Sequence, residues 1–296
     1  FRLEWKPDSM TNIIFRPNFS YGKTDNSSSS LSGTFNADPY SLVTNPNDYL
    51  DFDVINNEDP LKDIRVNATN TGSLSDSKTV STDATLQINR KLNDKGRNVT
   101  FRGRFGYGDN DNNQYTESMT RYYQIPTNPD STLIRNQYIT TPTNDYSYSA
   151  QITYSEPIAR ATFLQFSYQF QYKYSESDKT TFDLYKINPE WGIGDPLPVG
   201  YQNHAVDSLG KYAEYRYHDA SVSLRFIREK YQLSAGVSFQ PQNSKLSYKK
   251  GDYMIDTTRS VFNFAPNIDF RYRFSKVSQL RFNYRGRTGQ PSMDNL

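Results

Sequence analysis

Between Leu164 and Tyr174 the chain alternates strictly. Leu164, Phe166, Tyr168, Phe170, Tyr172 and Tyr174 are separated by Gln165, Ser167, Gln169, Gln171 and Lys173. A helix would scatter those large residues around its circumference, whereas a strand puts all of them on one face. At about 3.3 Å per residue the segment is long enough to cross a bilayer core when tilted. The pattern recurs. Phe262, Phe264, Ile268, Phe270, Tyr272 and Phe274 alternate with Asn263, Asn267, Asp269, Arg271 and Arg273. Leu280, Phe282 and Tyr284 alternate with Arg281, Asn283 and Arg285. Tyr146 to Tyr154 and Val99 to Tyr107 behave alike, and weaker versions run through Ile13–Tyr21, Val80–Ile88, Val222–Phe226 and Leu233–Phe239. Phe1, Leu3 and Trp5 read as the tail of another strand. The pattern predicts about ten strands and no amphipathic helix.

The links between strands alternate in length. Short ones fall at Pro7–Ser9, Asn93–Arg97, Glu156–Arg160, Arg228–Lys230 and Ser275–Ser278. Long polar ones fall roughly at 24–76, 109–145, 176–213 and 242–259. Outer-membrane barrels have short periplasmic turns and longer extracellular loops. The expected fold is therefore all-β: an antiparallel up-and-down transmembrane β-barrel, partial at about ten strands. Pro17, Pro241 and Pro266 fall inside predicted strands. Proline cannot donate to a ladder, so a bulge or strand end is expected at each. Ser27–Ser30 and Asn67–Ser75 read as flexible surface stretches.

Composition narrows the class. Hydrophobic residues make up only 35% of the chain, yet it carries 24 Tyr and 18 Phe. A disordered chain would be poor in aromatics. A barrel with an apolar outside and a wet inside accommodates both facts. Net charge is +2, which gives no nucleic-acid footprint. Cysteine is absent, which excludes disulfides, thiol nucleophiles and thiolate metal sites. No apolar run reaches the length of a transmembrane helix. No signal peptide is visible, so the chain reads as mature, trimmed or internal. The only histidines, His204 and His218, have no second ligand spaced for zinc, and nothing pairs Glu156 and Glu176 as acid and base. Neither an enzyme nor a bound cofactor is expected.

Two segments carry a family resemblance. One is Arg2-Leu-Glu-Trp-Lys-Pro-Asp8 followed by Thr11-Asn-Ile-Ile-Phe-Arg-Pro-Asn-Phe-Ser-Tyr21; the other runs from Phe282-Asn-Tyr-Arg through Gln290-Pro-Ser-Met-Asp-Asn-Leu296. They resemble the barrel region of TonB-dependent receptors of the Bacteroidota type, the "outer membrane protein β-barrel" family. The resemblance implies that 1–296 is a segment of one outer-membrane barrel domain, with signal peptide, plug and remaining strands absent. It also implies energised uptake of a solute. The implied partners are outer-membrane lipid, the protein's own plug, a TonB-type energy-coupling protein and a surface lipoprotein. A passive or structural barrel and a soluble secreted β-rich binding protein are the alternatives.

Several residues are candidates for roles in such a barrel. Inward positions are rich in arginine: Arg16, Arg102, Arg104, Arg225, Arg271, Arg273, Arg281 and Arg285. They could contact a plug or an anionic solute, since guanidinium forks match carboxylates, or simply line a solvated wall. Aromatics gather at strand ends: Trp5, Phe101, Tyr154, Tyr231 and Phe274 near short turns, and Tyr21, Tyr107, Tyr172, Tyr174 and Tyr248 near long links. Interface girdles would explain them, as would plain β-propensity. Trp191 is a ligand candidate in the most apolar long link, with loop packing as its other reading. Asp109–Asn113 offers oxygen ligands at alternate positions but lacks the glycine and terminal Glu of a calcium loop, so a solvated turn is expected.

Overall fold

The computed structural model describes residues 1–52, 59–124, 131–275 and 277–286. The chain forms one antiparallel sheet whose strands lie side by side in sequence order. They are β1 (Leu3–Trp5), β2 (Thr11–Phe35), β3 (Arg65–Lys91), β4 (Asn98–Tyr122), β5 (Ser131–Ala159), β6 (Thr162–Asp183), β7 (Ala205–Ile227), β8 (Tyr231–Lys250), β9 (Tyr253–Arg273) and β10 (Gln279–Arg285). This is an all-β, up-and-down, ten-stranded architecture. Among the described residues β1 and β10 form its two edges and do not pair with each other, so the sheet is open.

Short turns join the strands near each expected place, although β5 runs on through Glu156–Ala159 and its turn narrows to Arg160–Ala161; the long links are not what their polarity suggests. β2 to β9 run 20 to 29 residues each. That is about twice the 9–11 residues a tilted strand needs to cross a bilayer. Most of the residues expected in loops are strand extensions instead. Ser27–Ser30 pair with Leu74 to Thr71 in unbroken register. The link expected at 242–259 is a hairpin turning at Gly251, whose φ of +56° suits glycine. Asp109–Asn113 lies inside β4, with successive side chains on opposite faces, and is not a turn. Hydrophobic patterning fails here because ladder bonds are made by the backbone. Hydroxyl and amide pairs then stabilise neighbouring strands: Thr69 with Thr120 at 3.0 Å, Thr71 with Ser118 at 3.2 Å, and the Gln114 amide donating to Ser73 at 3.1 Å.

The prolines also depart from expectation, because the strand continues through each. Pro17 pairs with Ala84 and Pro266 with Val237, both in register. What changes is the ladder on the other side. The β1 ladder stops at Phe15. The β10 ladder stops at Asn267. At Pro241 the β7 ladder skips from Tyr217–Gln242 to Ala220–Phe239, while the β9 side is continuous. Each missing N–H is accommodated by interrupting one ladder only.

The register reveals a stagger. Residues directly opposite one another form a row: Trp5, Ile13, Ile88, Phe101, Ile152, Tyr168, Ala220, Phe239 and Phe264. It begins beside the first short turn. It ends well along β9, whose turn-side end is Tyr272 and Arg273. The strands therefore slide progressively past one another, which is the shear that lets a sheet curl toward a barrel. The polar face is concave, since Arg104 on β4 and Arg285 on β10 line one cleft.

Gly236 shows how tightly β7 and β8 approach. A Cβ there would lie 2.5 Å from the Val222 carbonyl oxygen and 2.8 Å from the Ser223 Cα. Backbone cannot yield as a side-chain tip can, so Gly236→Ala is expected to destabilise by about 1–3 kcal/mol. The urea midpoint of the detergent-folded protein checks this; an unchanged midpoint would contradict the close approach.

Candidate lumen-facing site and apolar belt

The two faces differ sharply. Outward-facing residues form a belt of large apolar side chains left open to the surroundings: Phe262 is 65% exposed, Phe264 60% and Ile152 50%. Monomeric soluble proteins rarely leave a continuous apolar surface of this extent bare. The inward row next to it reads Asn12, Asn89, Thr100, Thr153, Ser167, Ser221 and Ser238. Adjacent residues thus face opposite media, as alternation along a strand requires.

The aromatics collect toward the ends of this belt. Tyr107, Tyr146 and Tyr174 share one row, and Tyr148 and Tyr172 share the next. Their rings pack side by side, with Tyr146–Tyr174 at 5.1 Å and Tyr148–Tyr172 at 5.0 Å. Tyr21 lies one row further out on β2. At the turn side stand Trp5, Phe101 and Tyr154. Beyond them Tyr231 faces Tyr272, which packs on Phe274 at 4.8 Å. Tyr154 donates to Glu156, whose carboxylate also receives both Nε and Nη2 of Arg97 at 2.7 and 2.6 Å. His218 lies mid-strand on the outer face, 2.8 Å from the Tyr168 hydroxyl.

The arginines divide into two sets. Arg225, Arg271, Arg273 and Arg281 lie close to short turns. Arg271 and Arg281 stand directly opposite each other. Like charges so placed repel, and Asp269 lies between them: it accepts from Arg281 at 2.9 Å and from Asn283 at 2.8 Å. Arg16, Arg102, Arg104 and Arg285 lie deeper. Arg102 donates to Gln87 at 3.1 Å, and Arg16 and Arg104 flank Thr85 in one row. Sequence reading missed the inward Tyr215 and Tyr217, because β7 was legible only from Val222. Once the strand is extended, alternation would have found them.

Trp191 is enclosed, at 2% exposed. It packs with Tyr138, Phe182 and Leu184. Its Nε1 donates to the Pro196 carbonyl at 3.2 Å, and the Asn136 amide donates to its own carbonyl at 2.8 Å. The ring fastens the 184–204 loop to the sheet extension. Tyr115 and Tyr138 share the parity of Tyr107 and Tyr146, so this packing sits on the outer face beyond the belt. Burial there pushes the Tyr138 hydroxyl up to about 12, and it donates to Asn113 at 2.9 Å. Among the described residues no group of His, Asp and Glu is placed to hold a metal ion.

An open, sheared, up-and-down sheet with one bare apolar face and one polar concave face is the construction of an outer-membrane barrel wall. No family profile and no curated protein matches the chain. Among solved structures it is similar to the ferric yersiniabactin uptake receptor FyuA from Yersinia pestis, with 9% identity over 93% of this chain and 42% of that one, at a TM-score of 0.39. BauA, the ferric preacinetobactin receptor from Acinetobacter baumannii, gives 8% identity over 92% and 42%, at 0.40. The ferric citrate transporter FecA gives 9% identity over 95% and 42%, at 0.35. The chain spans less than half the length of these structures.

Proposed function

We propose that this chain is part of the wall of a bacterial outer-membrane barrel serving as a receptor for TonB-dependent solute uptake. The observation that carries the membrane reading is the apolar belt. It spans successive strands, stays bare, and is backed by an adjacent inner row of polar residues from Asn12 to Ser238. A soluble sheet would need a second apolar layer over it, and among the described residues none covers it. The strand extensions project beyond the belt on the side of the longer connections, which is the extracellular side in such barrels. The receptor reading, with a plug and an energy-coupling partner, rests on the resemblance of the Arg2–Tyr21 segment and of the motif after Phe282; residues 287–296 of that motif lie outside the described residues. A passive or structural barrel would share the wall and lack the plug. Neither reading gives the chain an enzymatic role.

In this account the turn-side arginines hold carboxylates of the plug. Replacing Arg271, Arg273 and Arg281 together by Gln is expected to loosen the plug, read as bilayer conductance at a denaturant concentration where the unaltered protein stays closed. In an unplugged wall the same change is expected to reverse the preference for anions. Unchanged closure together with unchanged ion preference would sink the assignment.

A further inference from the structure

A cleft of about 490 Å³ opens on the inner face at the level of the belt. Its lining draws on strands from β4 to β10 and includes both Arg104 and Arg285. Among the described residues neither guanidinium makes an ion pair. The same lining carries side chains that both donate and accept hydrogen bonds, chiefly Gln151, Gln169, Gln171 and Tyr217.

Part of this floor is fixed in place. Gln240 is 4% exposed and Ser238 5%. The Gln240 amide donates to Asp219 at 3.0 Å and to Ser238 at 2.9 Å, and the Tyr217 hydroxyl donates to Asp219 at 2.9 Å. Asp219 is the only acid among the described lining residues, and both donors reach its Oδ2. The Tyr215 hydroxyl donates to Gln242 at 2.7 Å, and its ring stacks with Tyr217 at 6.2 Å. A preformed polar floor of this kind loses little entropy when it orders a solute.

We propose that the cleft binds a small polyhydroxylated dianion, with a carboxylate at each end and hydroxyls between. Each terminal carboxylate meets a guanidinium, the geometry in which charge-assisted hydrogen bonds are strongest. The hydroxyls need partners that donate and accept at once, which amides and phenols provide. A purely apolar solute would leave the floor unsatisfied, and a cation would meet the two arginines. This inference rests on the reading of the concave face as a water-filled barrel interior and adds a substrate class to it.

The test is calorimetry on the protein purified in detergent, with three six-carbon probes. Galactarate carries both carboxylates and hydroxyls, adipate only the carboxylates, galactitol only the hydroxyls. Galactarate is expected to bind, with adipate and galactitol each at least about tenfold weaker. Arg104→Gln and Arg285→Gln are each expected to weaken galactarate about tenfold or more, while Arg259→Gln, on the β9 extension outside the cleft, leaves it unchanged. Absence of galactarate binding to a protein that shows the heat-dependent mobility of a folded barrel would overturn the proposal, as would equal binding of galactitol. A protein that stays soluble without detergent and still binds galactarate would keep the site and refute the membrane reading, so the two failures are distinguishable.

Discussion

Ile152→Arg is expected to cost about 2–4 kcal/mol of folding stability in lipid, whereas Gln151→Arg, one residue earlier, costs little. The two positions are adjacent in β5 and face opposite sides. Ile152 lies in the outward row with Phe101 and Tyr168; Gln151 lies in the inward row with Arg102 and Gln169. A charge on the outward side must stand in hydrocarbon or distort the bilayer around it. A charge on the inward side meets water and joins other guanidiniums. The contrast is informative because Ile152 is already half exposed. In a soluble protein, arginine at such a position would be neutral or would improve solubility. Urea titration of both variants folded into vesicles decides it. Equal midpoints would remove the physical basis of the belt.

Trp191→Ala is expected to release the 184–204 loop at a cost of about 3–5 kcal/mol, confined to the sheet extension. The indole fills the centre of the outer-face packing, with Tyr115 at 6.1 Å and the Asn136 amide fixed to its carbonyl. Its removal opens a cavity against Leu184, which has no exposed surface. Because the packing lies beyond the belt, the membrane-level strands should keep their pairing. Limited proteolysis should then cut within 184–204 at least about a hundredfold faster, with heat-dependent mobility unchanged. Loss of the whole barrel would mean that the extension supports the wall, and no change would mean that the ring only fills space. High pH offers a milder version. Tyr138 prefers its neutral form in the packed state, so its contribution is complete below the ordinary tyrosine range and is lost as pH rises toward 12.

Alternation made the membrane-level strands legible because two media act on them. Where every second residue faces hydrocarbon, selection for Leu, Phe, Tyr and Ile is strong, as from Leu164 to Tyr174. Beyond the belt both faces meet water and the pressure vanishes. Stretches such as Ser27–Ser30 and Asn67–Ser75 then read as loops, although the backbone ladder continues through them. The same loss of signal turned Asp109–Asn113 into an expected turn and shortened β7 to Val222–Phe226, which hid Tyr215 and Tyr217. The candidate site was half legible. Arg104 and Arg285 are recognisable as inward residues, but β4 and β10 are far apart in sequence. Their convergence follows from curvature, which a strand's own residues do not encode. The prolines were legible as ladder defects. Their resolution on one side only depends on which neighbour the missing N–H faces.

A bare belt that faces lipid must carry the protein into the membrane. The protein expressed in its envelope should fractionate with the outer membrane, need detergent for extraction, and run faster on a gel unheated than boiled. Recovery in the soluble fraction without detergent, with one mobility before and after boiling, would contradict the account.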